Sequence, residues 1–245
     1  MLIAVANPRE GSGKSTCAVN LACALADFDN RLTDRWQGKH SVVLIDADVE
    51  GTATRCCSGG HLPVSSDHGP SVDPKDIERW IQRMRAVIAE VDYIVVDGPS
   101  QMGPVLKAIV GISDLVIVPC SASAADSATM MAMIKLTRKA RSAGRDIGPS
   151  CLLVPTRVDA GIAEKEIEIA LNRFEEPVGP IIHQSAEFAG AFNAGRWIGD
   201  FSPDSAAYRD IKALTASVKK ILAQVVAGRG TVANSQFDGD GRIYK

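Results

Sequence analysis

The chain has 245 residues, 46% hydrophobic and 23% charged, a balance that suits a packed globular protein and is too apolar for intrinsic disorder. Lys and Arg number 27 against 29 Asp and Glu, for a net charge of −2. That excludes a protein that coats nucleic acid through a global positive field, so any basic surface must be local. The length allows one generous domain or two small ones, with a core large enough to need no covalent staples.

No stretch reaches the roughly 18 to 20 apolar residues of a membrane helix. The first residues, MLIAVANPREGSGKST, carry neither a basic leader nor a small-residue cleavage site, and no signal peptide is expected. Six cysteines (Cys17, Cys23, Cys56, Cys57, Cys120 and Cys151) lack paired CxxC spacing, and most sit in apolar runs as small hydrophobes. The expected compartment is reducing, the cytoplasm. Cys56, Cys57, His61 and His68 cluster in sequence, but their spacing fits no zinc template.

Short apolar runs, rich in β-branched residues, recur at Leu2–Ala6, Val42–Ile45, Tyr93–Val96, Leu115–Val118, Cys151–Val154 and Val178–Ile182. Nearly uninterrupted runs of this kind suit strands covered on both faces, as in a parallel sheet. Helical periodicity fills the intervals. From Pro74 to Val91, Ile77, Ile81, Met84, Val87 and Ile88 share a face behind an Asp73-Pro74 start signal. Ala124–Arg141 and Ser205–Val226 repeat the pattern. The alternation predicts a single α/β doubly wound domain with a mostly parallel central sheet over residues 1–227. Residues 56–72, rich in Gly, Ser, Pro and His, read as a loop, and 228–245 as a flexible tail.

The strongest signal follows the first strand: Asn7-Pro8-Arg9-Glu10-Gly11-Ser12-Gly13-Lys14-Ser15-Thr16. A strand, a glycine-bearing turn and a helix opened by Lys-Ser-Thr form a cradle for a phosphate chain, with backbone N–H groups and the helix N-terminus aimed at the anion. Lys14 is placed to reach the β- and γ-phosphates and Ser15 to ligate magnesium. Pro8 stands where the general G-x-x-x-x-G-K-[ST] pattern has its first glycine. Two further strands end in carboxylates, Asp46 with Asp48 and Asp97, where open α/β sheets hold metal and water.

These residues carry a family resemblance. The loop resembles the deviant Walker A box of the ParA/MinD superfamily of P-loop ATPases, K-G-G-x-G-K-[ST]-T. Asp46-Ala47-Asp48-Val49-Glu50-Gly51-Thr52-Ala53-Thr54 is similar to that family's D-x-D-P-Q-G-N-A-T segment, and Val95 to Ser100 to its second carboxylate motif. Ser113 to Pro119 matches its next strand, and Phe188 to Gly195 with Phe201-Ser202-Pro203 is similar to the ParA-type C-terminal region. The resemblance implies ATP/ADP and Mg²⁺ as ligands. It places Gly11, Ser12, Gly13, Lys14, Ser15 and Thr16 at the phosphates, and Asp48 at the attacking water. Ser15, Asp46 and Asp97 fall to the magnesium shell, and Thr156, Arg157 and Asp159 near the adenine. Arg9 stands where the family has the signature lysine that reaches across an ATP-bound dimer, and Glu10 where it has glycine. Lys14, Asp48 and Arg9 are thus the expected catalytic set, with slow or conditional hydrolysis expected from the two departures.

The resemblance further implies an ATP-dependent homodimer, nonspecific DNA binding, and a ParB-like or cargo-adaptor partner that stimulates hydrolysis. The cargo is a plasmid, a chromosome region or a protein assembly such as a carboxysome. Two basic stretches could meet DNA: Lys135, Arg138, Lys139, Arg141 and Arg145, and Arg209, Lys212, Lys219 and Lys220. Glu187 and Asp204 occupy places where many relatives are basic, with Arg196 as partial compensation. A MinD-like membrane helix is not expected, because residues 228–245 have no apolar stripe. The alternative reading is a nucleotide-binding regulatory or scaffold protein with little turnover, an accessory to conjugation or DNA processing. A weaker one is a P-loop ligase of the dethiobiotin-synthetase kind.

Overall fold

The computed structural model describes residues 1–32, 42–57, 65–121, 127–143, 148–159 and 164–235. The strands are β1 (Leu2–Val5), β2 (Val42–Asp46), β3 (Ser65–His68), β4 (Tyr93–Asp97), β5 (Leu115–Ser121), β6 (Ser150–Val158) and β7 (Ile182–His183). They form one sheet in the order β3-β2-β4-β1-β5-β6-β7, and every described pairing is parallel.

Alternation along the strands supplies two cores. Ile3, Val5, Leu44, Val95, Ile117 and Val154 face one side, Leu2, Ala4, Ile45, Ile94, Val96 and Val118 the other. Helices α1 (Lys14–Leu32) and α9 (Ala206–Ser235) pack together on the first side. On α9 the buried Ile211, Leu214, Val218, Leu222 and Val225 recur at helical spacing. The second side is covered by α3 (Pro74–Glu90), α4 (Pro104–Ile112), α5 (Ser127–Arg141) and α6 (Glu164–Asn172). The short α2 (Thr52–Cys57) and α7 (Ala186–Asn193) follow the ends of β2 and β7, and α8 (Ile198–Phe201) packs against α7, α1 and α9.

Three expectations change. Part of the predicted 56–72 loop is α2 and β3, a polar strand paired to β2 at the sheet edge, where alternation and apolar content are not demanded. The strand predicted at Val178–Ile182 is reduced to a bridge between Val178 and Leu153, then β7 at Ile182–His183, because Pro180 between them has no N–H to continue a ladder. Helix α9 runs to Ser235, past Gly228 where the tail was expected to begin, and 236–245 lie outside the described residues.

The sheet order places β1 beside β5, and the crossover from β1 runs to β2 on one side while that from β5 runs to β6 on the other. Their carboxyl ends mark a topological switch point, where α/β sheets open a crevice.

Candidate functional site

The register at the strand tips assembles the site. Val5 lies beside Asp97, and Asp97 beside Asp46, so two carboxylates stand in line with the end of β1. The loop then turns out of β1 and into α1. Asn7 anchors it by donating from Nδ2 to the Pro119 carbonyl at 2.6 Å. Gly11 (φ 69°) and Gly13 (φ 87°) hold left-handed backbone conformations that other residues adopt only at a cost. The first turn of α1 carries no acidic residue, which leaves the positive end of the helix dipole available to an anion.

Lys14 is buried except for 5% of its surface. Its ammonium donates to the Arg9 carbonyl and to Ser100 Oγ, both at 2.9 Å, and Ser100 Oγ donates to Asp48 Oδ2 at 2.6 Å. Burial pulls the Lys14 pKa below its ordinary 10.5, opposed by the carboxylates of Asp97, Asp48, Glu50 and Glu10.

The two candidate metal carboxylates differ. Both oxygens of Asp46 accept backbone N–H groups, from Asp48 at 3.1 Å and Thr54 at 2.7 Å, so Asp46 shapes the turn that carries Asp48. Asp97 is fully buried, and apart from the nearby Ser15 hydroxyl neither of its oxygens has a hydrogen-bond partner. Burial pushes its pKa from 3.8 to about 7; the Ser15 hydroxyl opposes the rise, Asp46 adds to it, Lys14 opposes it and Asp48 adds to it. An orphaned carboxylate beside a serine hydroxyl is a donor set that suits Mg²⁺, which takes one or two protein oxygens and completes its shell with water and phosphate. Among the described residues no group of three or more His, Cys, Asp and Glu is set to hold a metal by itself. His61 of the Cys/His stretch lies outside them.

Beyond the loop opens a cavity of about 290 Å³. Gly13, Thr16, Cys17, Thr156 and Arg157 form its near wall, and His183, Gln184, Ser185, Phe188 and Phe192 its far wall. It is continuous with the phosphate cradle and apolar enough for a base. Thr156 and Arg157, assigned to the adenine by the family resemblance, line this cavity and also hold the loop. Thr156 Oγ1 lies 2.8 Å from the Ser12 carbonyl, and Arg157 (φ 55°) donates to the Gly11 carbonyl at 2.7 Å. Asp159 is exposed and lies outside the cavity wall. Ser185 caps α7 by accepting the Glu187 N–H, and His183 is fixed by Asp210, whose Oδ2 lies 3.0 Å from its Nδ1. Sequence reasoning gave none of the far-wall residues a role. Their position just past a strand tip is the signal that could have found them.

Arg9 and Glu10 are exposed at the mouth of the site. Val49, on the turn after Asp48, is 93% exposed, a bare apolar side chain at the same mouth. Cys17, Cys23, Cys56, Cys120 and Cys151 are buried, and burial pushes the Cys17, Cys120 and Cys151 thiols up to about 12, as inert hydrophobes. No described helix is long and apolar enough to cross a membrane.

The basic stretches change most. Glu176, almost fully buried, binds Arg138 Nε at 2.7 Å and Arg141 Nη2 at 3.2 Å, and Arg138 and Arg141 also donate to the carbonyls of Phe174 and Pro149. These two arginines fasten α5 to the segment before β7, while Lys135 and Lys139 stay exposed and Arg145 lies outside the described residues. Arg196 pairs with Asp200 at 2.6 Å and lies over Phe201, so it does not offset Glu187 and Asp204.

Residues 3–234 match the family described as the CobQ/CobB/MinD/ParA nucleotide binding domain. The chain belongs to this family. Among curated proteins it is similar to the maintenance of carboxysome distribution protein A of Gloeobacter kilaueensis, 30% identical over 131 residues. That match spans 53% of this chain and 53% of the relative, about half the length of each. Among solved structures it is similar to the Aquifex aeolicus MinC:MinD cell division complex (TM-score 0.70, 15% identity, 89% of this chain and 95% of that one). The septum site-determining protein MinD of Pyrococcus horikoshii, solved with Mg-ADP, aligns over 91% of this chain and 98% of its own (TM-score 0.66, 15% identity). At such identities these likenesses concern the fold, and they agree with the ParA/MinD superfamily membership that the loop and strand-tip motifs implied.

Proposed function

We propose that this family member binds ATP with Mg²⁺ in the cradle from Gly11 to Thr16 and hydrolyses it slowly, as the ATP-gated switch of a positioning system. One observation carries the reading: three carboxylates from two neighbouring strand tips converge on the phosphate loop, one of them joined to its lysine through a single hydroxyl. Ser15 and Asp97 would hold Mg²⁺, which would neutralise phosphate charge. The rest is positioning. Loop N–H groups and Lys14 hold the β- and γ-phosphates, and Thr156, Arg157, Phe188 and Phe192 enclose the base. Asp48 orients a water whose oxygen bonds the γ-phosphorus as the bond to the bridging oxygen breaks, so that ADP and inorganic phosphate leave.

The dimeric state, with Arg9 reaching the partner's phosphates, is supported by its exposure at the site mouth beside Val49. Nonspecific DNA binding is supported by Arg209, Lys212 and Lys220, exposed at i, i+3 and i+11 on α9 and therefore on one face. The curated relative's name favours a protein assembly as cargo; a cytoplasmic adaptor that stimulates hydrolysis is the partner that the family resemblance implies. Single-turnover ATP hydrolysis with magnesium, read beside equilibrium nucleotide binding and gel filtration with ADP, ATP and a slow analogue, tests this. Binding with neither turnover nor a nucleotide-dependent dimer would favour the scaffold reading. A Lys14→Ala variant should lose at least about tenfold in affinity, since hydrogen bonds to a charged group contribute about 1.5–3 kcal/mol.

A further inference from the structure

We propose that Ser100 is a positioning residue for hydrolysis, a hydroxyl that ties the phosphate-loop lysine to the water-orienting carboxylate and aims that carboxylate when the lysine engages phosphate. The inference rests on the ATPase reading above.

Ser100 stands in the turn between β4 and α4, three residues past the buried Asp97. A hydroxyl has one proton and two lone pairs, an ammonium only donates, and an ionised carboxylate only accepts. The order Lys14 Nζ to Ser100 Oγ at 2.9 Å, then Ser100 Oγ to Asp48 Oδ2 at 2.6 Å, therefore fixes the direction of both bonds. The other Asp48 oxygen accepts the Glu50 N–H at 3.1 Å, and the Asp48 N–H is held by Asp46. Both oxygens of a half-exposed carboxylate are thereby given a defined orientation, one from its own turn and one from Ser100.

The arrangement also has a switch-like order. Lys14 spends its bonds on the Arg9 carbonyl and Ser100 in this structure. Phosphate oxygens compete for the same ammonium. As Lys14 turns toward them, Ser100 loses a donor but keeps its own proton on Asp48, so the carboxylate stays aimed. The serine touches neither phosphate nor water; it acts through Asp48.

The test compares wild type, Ser100→Ala, Ser100→Thr, Asp48→Asn and the Asp48→Asn/Ser100→Ala double variant. Affinity for a fluorescent ATP analogue is measured first, then single-turnover hydrolysis at saturating ATP and magnesium. Ser100→Ala is expected to lose about tenfold in rate, as when a barrier rises by about 1.4 kcal/mol, with affinity within about threefold of wild type. Ser100→Thr keeps the hydroxyl and restores most of the rate. In the Asp48→Asn background Ser100→Ala adds no further loss, because the two act as one unit. Wild-type turnover by Ser100→Ala at equal occupancy, no rescue by threonine, or independent losses in the double variant each overturn the proposal while leaving the ATPase reading standing. A wild type that binds but never hydrolyses removes both.

Discussion

Thr156 Oγ1 lies 2.8 Å from the carbonyl of Ser12, a residue 144 positions away, and 3.2 Å from the carbonyl of Cys120. This buried hydroxyl joins the end of β6 to the middle of the phosphate loop. The bond matters because a loop whose backbone N–H groups face an anion must turn its carbonyls toward some other donor. Ser12 and Gly11 solve this with Thr156 and Arg157. Thr156→Val keeps the shape and removes the donor, leaving the Ser12 carbonyl without it. Stability should fall by about 1–2 kcal/mol. For a chain of this size that is a drop in melting temperature of roughly 2–8 °C. Nucleotide affinity should weaken in parallel, and calorimetry with and without ATP reads both. An unchanged melting curve would show that the clamp contributes nothing.

Asp97 gives the site a pH dependence. Its folded pKa of about 7 exceeds the ordinary 3.8, burial being the main cause. Between these values the folded state binds more protons than the unfolded one, so its contribution makes nucleotide-free stability fall as pH rises from about 4 to about 7. Magnesium needs the deprotonated carboxylate. Magnesium-dependent ATP affinity should accordingly decline as pH falls from 8 to 6, by up to about tenfold per pH unit below the pKa. Asp97→Asn should melt higher than wild type at pH 8 without nucleotide, should match it near pH 4, and should lose the magnesium-dependent part of the affinity. Titrations across this range check all three.

Local chemistry made half of this site readable. Apolar runs ending in Asp46 and Asp97, and glycines before Lys14-Ser15-Thr16, are signals confined to a few neighbouring residues. The doubly wound sheet follows from the same runs. What escaped depends on contacts distant in sequence or on exceptions to pattern. Ser65-Ser66-Asp67-His68 has no apolar residue, and it is a strand because β2 offers an edge. Val178 to Ile182 looks like a strand, yet Pro180 breaks it. Lys14, Ser100 and Asp48 are separated by 86 and 52 residues, so no spacing announces their chain of bonds. Arg138 and Arg141 read as a solvated basic face because the carboxylate that claims them, Glu176, comes 38 and 35 positions later.

Glu176 supplies a test of that reassignment. Its side chain is 3% exposed while the two arginine side chains are 42% and 41% exposed. Removing the carboxylate leaves two solvent-reachable cations rather than a buried charge, so Glu176→Ala should cost about 1–3 kcal/mol, less than the loss expected where both partners are buried. Nucleotide affinity should not move, since the cluster lies between α5 and the segment before β7. Urea unfolding checks the first expectation and nucleotide titration the second. If Arg138→Ala lowered DNA binding with no loss of stability, the arginines would belong to the surface after all.

The DNA binding proposed above is assigned to α9. Arg209, Lys212 and Lys220 share one exposed face, and Lys212 lies over the Tyr208 ring at 4.7 Å, which holds its stem against the helix. A helix face that meets phosphates without reading bases predicts affinity that is indifferent to sequence and falls steeply with salt. Each phosphate contact contributes about 0.9 to the slope of log affinity against log salt. Replacing Lys212 and Lys220 by Glu should flatten the slope by about 2 per protomer and abolish binding near physiological salt. Stability and nucleotide affinity should be retained, because both side chains are exposed and remote from the phosphate loop. Fluorescence anisotropy with unrelated duplexes at several salt concentrations measures slope and affinity together. An unchanged slope in this variant would place the phosphate contacts on another face, with Lys135 and Lys139 of α5 the next to replace.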